Sequence, residues 1–480
     1  MGKFSTYRYL ELKDDTSAAH INVRSRTIKH PRRLKKVFIF LIVLALFVTY
    51  FLDSYISSYF KSRKVQNGKW HGHIRLFAGQ SQWLDGLAKS LGYESVFHHA
   101  VIIDAGSSGS RVLAYKFRVP FTVFGQANLD LVDEYFEQSK PGLSSYADDP
   151  DKGAETIVQL IKKAEFLTPP EKRRTTPLIV RATAGLRLLP ADKAQQLIDA
   201  VARAISKLGY DVGPDGVKIM DGSDEGIFIW YTVNLLHNLM DGNTMAALDL
   251  GGGSTQITFQ LSAADSPQYP AADQYVVPAG TNVTLYTHSY LNLGLLAARY
   301  GVFRQEAEDS ETDEFRSVCV DPIVQREPWT YANKNYVVSG AARLAGTSRT
   351  AAYSACQRAV RRYVLRTLDW EPRRAPLGQV AAMSYFYDVA ADAGLIDVMK
   401  GGKVSVKAYR TSAVRACSAA NVEQPWACLD LVYVVSLLQD AYKISDDEPI
   451  SLFKKVNGHE VSWALGLAYT TVMNKIVITP

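Results

Sequence analysis

Most of the first 95 residues lack apolar periodicity, but one uninterrupted run, Val37–Leu52, is almost wholly apolar and carries no charge. Arg32, Arg33, Lys35 and Lys36 stand just before it, the charge asymmetry of a membrane segment. Its 16 residues make roughly 24 Å of helix at about 1.5 Å each, short of a ~30 Å hydrocarbon core and nearer the thinner bilayers of the early secretory pathway. A head of 36 residues precedes the run and no small-x-small site follows it, so an uncleaved anchor is expected and not a signal peptide. The chain after Leu52 is then translocated. Residues 53–95 read as a stem of mixed Tyr, Ser, Lys and His, with an amphipathic stretch near Trp83–Leu91.

Beyond residue 95 the pattern alternates between the periods of strand and helix. Val101–Ile103 reads as a buried strand and Val112–Phe117 as its continuation after a turn. Pro190–Leu208 reads as a helix with Leu197, Val201, Ile205 and Leu208 on one face and Gly209 as its stop. Ile257, Phe259 and Leu261 alternate with Gln256, Thr258 and Gln260, as in a strand with one apolar and one polar face. An α/β architecture follows. With 480 residues, 47% of them hydrophobic, the chain can build two or three folding units.

One segment occurs twice. Ile103-Asp104-Ala105-Gly106-Ser107-Ser108-Gly109-Ser110 is echoed 145 residues later by Leu248-Asp249-Leu250-Gly251-Gly252-Gly253-Ser254-Thr255, each copy between strand-like segments. Two related lobes are expected, each offering a hairpin whose turn faces a shared cleft. Gly-Ser turns expose successive N–H groups and hydroxyls, and without Cβ atoms a phosphate can approach the backbone closely. Asp104 and Asp249 at the turn mouths would repel a bare phosphate, which makes sense if a hydrated divalent cation lies between them. One such turn is ordinary hairpin punctuation; two with the same leading Asp are a phosphate site.

Charge changes the picture little. Residues 1–36 carry ten Lys/Arg against three Asp/Glu, which leaves 44 against 45 for the rest, so no nucleic-acid-binding face is implied. Cys319, Cys356, Cys417 and Cys428 all lie beyond the anchor, in an oxidising compartment. Three connectivities are open, of which nearest-neighbour pairing, Cys319 with Cys356 and Cys417 with Cys428, is the expected one. A zinc site competes, but no CxxC spacing or histidine cluster accompanies these cysteines. Asn282-Val283-Thr284 is a glycosylation sequon that a translocated domain would present.

Between the copies lie Lys140-Pro141-Gly142-Leu143-Ser144-Ser145-Tyr146, Arg181-Ala182-Thr183-Ala184-Gly185-Leu186-Arg187 and Asp221-Gly222-Ser223-Asp224-Glu225-Gly226-Ile227-Phe228-Ile229-Trp230. After them come His288-Ser289-Tyr290-Leu291, Ser384-Tyr385-Phe386-Tyr387-Asp388 and Trp463-Ala464-Leu465-Gly466. From about residue 98 to about 470 the chain resembles the nucleoside triphosphate diphosphohydrolases (E-type NTPases, apyrases). The single amino-terminal span, the four cysteines and the lack of a carboxyl-terminal span most resemble the Golgi/ER nucleoside diphosphatase branch.

The resemblance implies an α/β, actin-like fold of two ribonuclease-H-like lobes with the nucleotide in the cleft, plus one N-terminal transmembrane helix. The units would be a cytoplasmic tail (1–36), an anchor (37–52), a stem (53–95), lobe I (96–246), lobe II (247–445) and a C-terminal segment returning to lobe I (446–480). Glu225 matches the general base, Ser254 the residue that helps hold the attacking water, and Thr183 and Gln256 contacts to the water and metal shell. Asp104 and Asp249 match carboxylates that hold Ca²⁺ or Mg²⁺ through its waters. Ser107, Ser108, Gly109, Gly251, Gly252 and Gly253 match phosphate-loop positions, with Arg111 and Arg187 nearby as phosphate ligands or structural pairs. Tyr385, Phe386 and Tyr387 match the aromatic face for the base; read as a strand, they alternate faces, so at least one belongs to the core. Asp224 is expected to raise the pKa of Glu225 if the two side chains approach. The implied activity is metal-dependent hydrolysis of UDP and GDP in the Golgi or ER lumen. The alternative is a broad apyrase that also cleaves triphosphates, at the cell surface or secreted.

Overall fold

The computed structural model describes residues 96–106, 108–119, 129–240, 243–279, 281–309, 311–343, 348–369 and 377–478. The tail, the anchor at 37–52, the stem and Ser107 lie outside the described residues. Among the described residues no helix is long and apolar enough to cross a membrane.

Strands β1 (Val96–Ala105), β2 (Ser110–Val119), β3 (Asp130–Ser139), β4 (Leu178–Ala182) and β5 (Val217–Ile219) form one sheet in the order β3-β2-β1-β4-β5. The expected strands at Val101–Ile103 and Val112–Phe117 are the buried centres of β1 and β2. A second sheet holds β6 (Ala246–Leu250), β7 (Ser254–Leu261), β8 (Gln274–Ala279) and β9 (Thr281–Leu291). After a small sheet of β10 (Glu314–Ser317), β11 (Glu327–Tyr331) and β12 (Lys334–Gly340), the chain adds β13 (Val380–Ser384), β14 (Gly402–Val404) and β15 (Ile450–Leu452) to it. Its order is β14-β15-β13-β6-β7-β9-β8. Within it, β9-β7-β6-β13-β15 repeats the order and the directions of β3-β2-β1-β4-β5: antiparallel, antiparallel, parallel, parallel. The short repeat in the sequence thus marks a repeat of a whole sheet. The segment expected to return to lobe I from residue 446 is still pairing in the second sheet at β15, because Val380–Ala382 and Ile450–Leu452 complete its parallel ladder.

The layers follow from which faces are apolar. Helices α1 (Pro150–Ala164), α2 (Ala184–Arg187) and α3 (Ala191–Ile205) cover the outer face of the first sheet. Leu197, Val201 and Ile205 of α3 are fully buried there, and Gly209 ends the segment with φ +75°, the left-handed conformation expected of its stop. Helices α4 (Gly222–Leu236), α5 (Leu295–Glu306), α6 (Arg349–Thr367), α7 (Tyr385–Asp392), α8 (Val406–Ser418), α9 (Ala427–Ser436) and α10 (Trp463–Ile478) complete the fold. Helices α5, α6, α8 and α9 close the outer face of the second sheet, while α4 and α10 lie between the sheets. The two central helices are exchanged: α4 follows β5 in the chain but packs on β6, β7 and β9, whereas α10 follows the second sheet but packs on β1 and β2. This exchange explains why the alternation in β7 does not mean one solvated face. Gln256 and Thr258 are as buried as Ile257 and Phe259, because α4 covers the polar side.

Both disulfides have the expected pairing, Cys319–Cys356 and Cys417–Cys428; the first ties the turn after β10 to α6 and the second ties α8 to α9. They close sequence separations of 37 and 11 residues, so restricting the unfolded chain should contribute about 2–4 kcal/mol each. Denaturant titration of the Cys319→Ala/Cys356→Ala double variant should show a loss in that range, and an unchanged midpoint would contradict it. Asn282 is exposed in β9.

Candidate active site

The two matched turns have the same geometry. In the β1–β2 turn the Gly106 amide donates to the Gly109 carbonyl at 3.1 Å, and in the β6–β7 turn the Gly251 amide donates to the Ser254 carbonyl at 3.0 Å. Register puts Asp104 across from Arg111 and Asp249 across from Gln256. Gly109 and Gly253 sit behind their turns, where a Cβ would meet the Gln138 amide at 2.7 Å and the Ala184 Cβ at 2.8 Å respectively. Ser108, Gly251 and Gly252 face the cavity, of ≈ 400 Å³, that both turns line.

Glu225 reaches this cavity on the first turn of α4, whose N-terminus Asp221 caps by accepting from the Ser223 amide. The helix can come this close because residue 226 has no side chain: a Cβ there would lie 2.3 Å from Thr287 Oγ1 and 2.6 Å from Thr258 Oγ1, which bond each other at 2.7 Å. Glu225 Oε2 accepts from Arg187 Nη2 at 2.8 Å and from Gln256 Nε2 at 3.2 Å. The same two donors reach Ser254 Oγ, at 3.3 Å and 2.9 Å, so the serine oxygen accepts twice and keeps its proton for donation. Ser289, from the His-Ser-Tyr-Leu motif, takes a further bond from Gln256 Nε2 at 3.0 Å. Thr183 precedes α2 at the cavity wall without a side-chain capping bond, its amide donating to the Ala105 carbonyl at 3.3 Å.

Asp104, Asp249 and Glu225 are all buried, at 7%, 5% and 7% exposure, and they face one another. Burial raises the pKa of Asp104 against the opposing pull of Arg111, which bonds Oδ2 at 3.1 Å. Burial also raises Asp249, opposed by a hydrogen bond from Ser384 and assisted by the charge of Asp104. For Glu225, burial pushes the pKa up to about 8; Arg187 opposes it, and Asp249 and Asp104 assist. The expected repulsion from Asp224 is not the cause: that carboxylate feels Lys218, Asp221 and Arg181 instead, on another side of the helix.

Three acceptors here lack any partner: Asp104 Oδ1, Asp249 Oδ1 and Gln256 Oε1. Buried oxygens without donors cost about 1–3 kcal/mol each. Three oxygen acceptors and an excess of negative charge suit a hard, hydrated divalent cation, which is the donor set such ions take. The residues present therefore fit the expected metal.

The aromatic triplet is not a strand. Ser384 ends β13 with φ +57° and ψ −127°, a conformation that costs a non-glycine residue about 1–3 kcal/mol, and the chain turns directly into α7. Helical spacing sends the three rings in different directions. Tyr385 lines the cavity, its hydroxyl bonded to Ser108, and Tyr387 lines it while donating to the Val398 carbonyl at 2.9 Å. Phe386 has no exposure and belongs to the core of the second sheet, so it does not face a base. Lys140, Asp388, Lys454 and Glu460, with Phe136 and Phe453, line the cavity without having been singled out individually as contacts. Lys140 and Asp388 belong to the motifs after β3 and at the start of α7, whereas Phe136 on β3 and Phe453, Lys454 and Glu460 after β15 are marked by no local pattern.

The chain is similar to known proteins both in sequence and in fold. Residues 93–478 match the GDA1/CD39 (nucleoside phosphatase) family. The chain is 33% identical over 395 residues to nucleoside-diphosphatase uda-1 of Caenorhabditis elegans, covering 77% of this chain and 81% of that one. It is 36% identical over 416 residues to nucleoside diphosphate phosphatase ENTPD5 of Homo sapiens, covering 81% and 92%. Among solved structures, nucleoside triphosphate hydrolases from Neospora caninum superpose with a TM-score of 0.57 at 15% identity, covering 83% of this chain and 96% of that one, a likeness of fold.

Proposed function

The chain belongs to the GDA1/CD39 (nucleoside phosphatase) family and has the actin-like α/β fold, and from that premise we propose that it hydrolyses the terminal phosphate of nucleoside diphosphates, UDP and GDP among them, in the lumen of the Golgi or ER. The relatives named as nucleoside diphosphatases support the substrate class. The run at 37–52 supports a single-pass anchor, with 96–246 and 247–445 as the two ribonuclease-H-like lobes and the chain crossing back after β15. The observation that carries the chemistry is Glu225, buried, facing Asp104 and Asp249 between two matched phosphate turns.

In this reading the turn amides and the Ser108 hydroxyl hold the phosphates, with Tyr385 and Tyr387 beside the base, where stacking contributes about 1–3 kcal/mol. Ser254, its oxygen saturated by Arg187 and Gln256, donates its proton toward the water or a phosphate oxygen. Thr183 lies across the cavity as a second contact. Glu225 takes the proton of the attacking water, and Arg187 holds that carboxylate in place and offsets its charge before the transfer. Arg111 is engaged by Asp104, so its first task is to hold that carboxylate rather than the phosphate. Ca²⁺ or Mg²⁺, held by Asp104, Asp249 and Gln256 through water, would supply charge stabilisation to the transferring phosphoryl group.

The test is phosphate release from UDP, GDP, CDP, ADP, UTP and ATP with Ca²⁺, Mg²⁺ or EDTA. Diphosphates should be preferred and EDTA should abolish turnover; faster hydrolysis of triphosphates would establish the broad apyrase instead. Asp104→Asn and Asp249→Asn should each raise the cation concentration for half-maximal rate by at least about tenfold, the usual scale for losing a group in a metal's shell. An unchanged cation dependence in both variants would remove these carboxylates from the site.

A further inference from the structure

Positive charge is concentrated on one helix that does not line the catalytic cavity. Helix α6 carries five arginines and not one Asp or Glu over Arg349–Thr367. Arg358, Arg361, Arg362 and Arg366 are all exposed. Their spacing of three, four and eight residues puts them on one helical stripe, with neighbouring side chains about 5–6 Å apart. Of these, Arg361 bonds Asp440 at 3.1 Å, and Asp440 is held also by Ser436 Oγ at 2.6 Å. Among the described residues no salt bridge engages Arg358, Arg362 or Arg366, although Arg362 lies near enough to Glu306 to oppose the rise of its pKa. Chains normally separate like charges on a helix face, because each i,i+4 pair of them costs about 0.2–0.5 kcal/mol. Here that cost is accepted in a chain whose residues after 36 are balanced, 44 Lys/Arg to 45 Asp/Glu.

Beside the stripe, α6 and the segment Val435–Asp440 enclose a notch of ≈ 180 Å³. Gln357, Ser436 and Gln439 bring amide and hydroxyl groups to its wall, Ser436 and Gln439 also donating to Asp440 and Asp446, and Arg358 and Arg361 line it together with Asp440, whose charge Arg361 pairs. Guanidinium forks match the planar oxygen pairs of sulfate and carboxylate groups. Uncharged amides and hydroxyls match sugar hydroxyls. A bilayer fits less well: Leu365 is the one large apolar side chain exposed within the stripe, and a helix that lies on a membrane presents a broad apolar face. Nucleic acid is not a partner expected in the oxidising compartment that two disulfides imply.

We propose that the arginine stripe of α6 with its adjoining notch is a binding face for a sulfated polysaccharide chain, separate from the catalytic cavity. Such a ligand would hold the enzyme on a glycan-bearing surface of the compartment while the cavity stays open to nucleotide. The two sites share no residue.

The experiment uses the full chain in detergent, with heparin as the probe, at about 0.15 M salt, where the Debye length is about 8 Å. Arginine-selective labelling read by mass spectrometry gives the rate at each arginine, so binding by the basic head is seen separately. Heparin at about ten times its Kd should slow labelling of Arg358, Arg362 and Arg366 by roughly tenfold and leave exposed Arg174 unchanged. The R358Q/R362Q/R366Q variant should bind heparin through this domain roughly tenfold more weakly, or less still, with kcat/KM for the diphosphate unchanged. No protection on α6 when the head is protected would overturn the proposal. So would protection by phosphatidylserine vesicles that heparin does not displace, which assigns the stripe to a membrane. Protection abolished by saturating nucleotide would also overturn it, since heparin would then be occupying the catalytic cavity.

Discussion

Replacing Glu225 by Gln is expected to lower kcat for a nucleoside diphosphate by about 10²–10⁴-fold, or roughly 2.7–5.4 kcal/mol of barrier, the range that a general base supplies. Gln keeps an oxygen that can accept from Arg187 and Gln256, so the neighbouring geometry survives while the proton acceptor is lost. Nucleotide affinity and melting temperature should therefore change little, and Asp224→Asn should cost far less because that carboxylate belongs to another neighbourhood. The pH profile gives a second reading of the same residue. Glu225 acts only when ionised, and its pKa is raised, so the rate is present above that pKa and lost as the pH falls through it. Burial with Asp249 and Asp104 nearby raises that pKa to about 8 when no cation charge is in the site, so the limb of the cation-dependent rate lies below pH 8. Positive charge held at those two aspartates removes the assisting repulsion, so the limb should move to lower pH as the cation is saturated. A Glu225→Gln enzyme keeping more than about a tenth of wild-type turnover would sink the assignment.

Gly226→Val is expected to cost about 1–3 kcal/mol of stability by overpacking, and about 10²-fold in kcat, because a shift of the order of 1 Å in a catalytic group is enough for that. Intrinsic helix propensity differs little between Gly and Val, so contact decides the sign. The first added atom already lies 2.3 Å from Thr287 Oγ1 and 2.6 Å from Thr258 Oγ1, on strands that cannot give way without leaving the sheet. The helix must move instead, and Glu225 moves with it. Thermal melts and steady-state kinetics read both consequences, and adding Thr287→Ala and Thr258→Ala, which vacate that space, should recover part of each. A Gly226→Val protein as stable and active as wild type would show that α4 does not depend on this approach.

The tie between those two variants shows where sequence reading reaches its limit. The turns at 104–110 and 249–255, the strands around them and the helix before Gly209 are legible locally, because a strand, a tight turn and an amphipathic helix each depend on residues within a few positions of one another. The cysteine pairing is legible too, since the nearest neighbours in sequence are also neighbours in the fold. Resemblance to a family then pointed to Glu225, Asp104, Asp249, Ser108, Gly251 and Gly252, which the structure gathers around one cavity.

What only the tertiary structure decided depends on contacts between distant segments. Helix α4 belongs in sequence to the first sheet but packs on the second, so Glu225 meets Gln256 and Ser254 across an exchange that no local period records. The pKa of Glu225 is raised by burial and by two aspartates from different sheets, where the sequence pointed to the adjacent Asp224. Tyr385, Phe386 and Tyr387 read as a strand but begin a helix, because Ser384 turns the chain out of β13, and that turn sends Phe386 into the core. Lys454 and Glu460 reach the cavity from the far end of the chain, on the crossing between β15 and α10. The sequence by itself determined two matched glycine-serine turns, each led by an aspartate, and the residue types the proposed chemistry needs. Their assembly into one site was decided by the packing of two sheets around two exchanged helices, since a catalytic distance is set by long-range contacts that the order of residues does not contain.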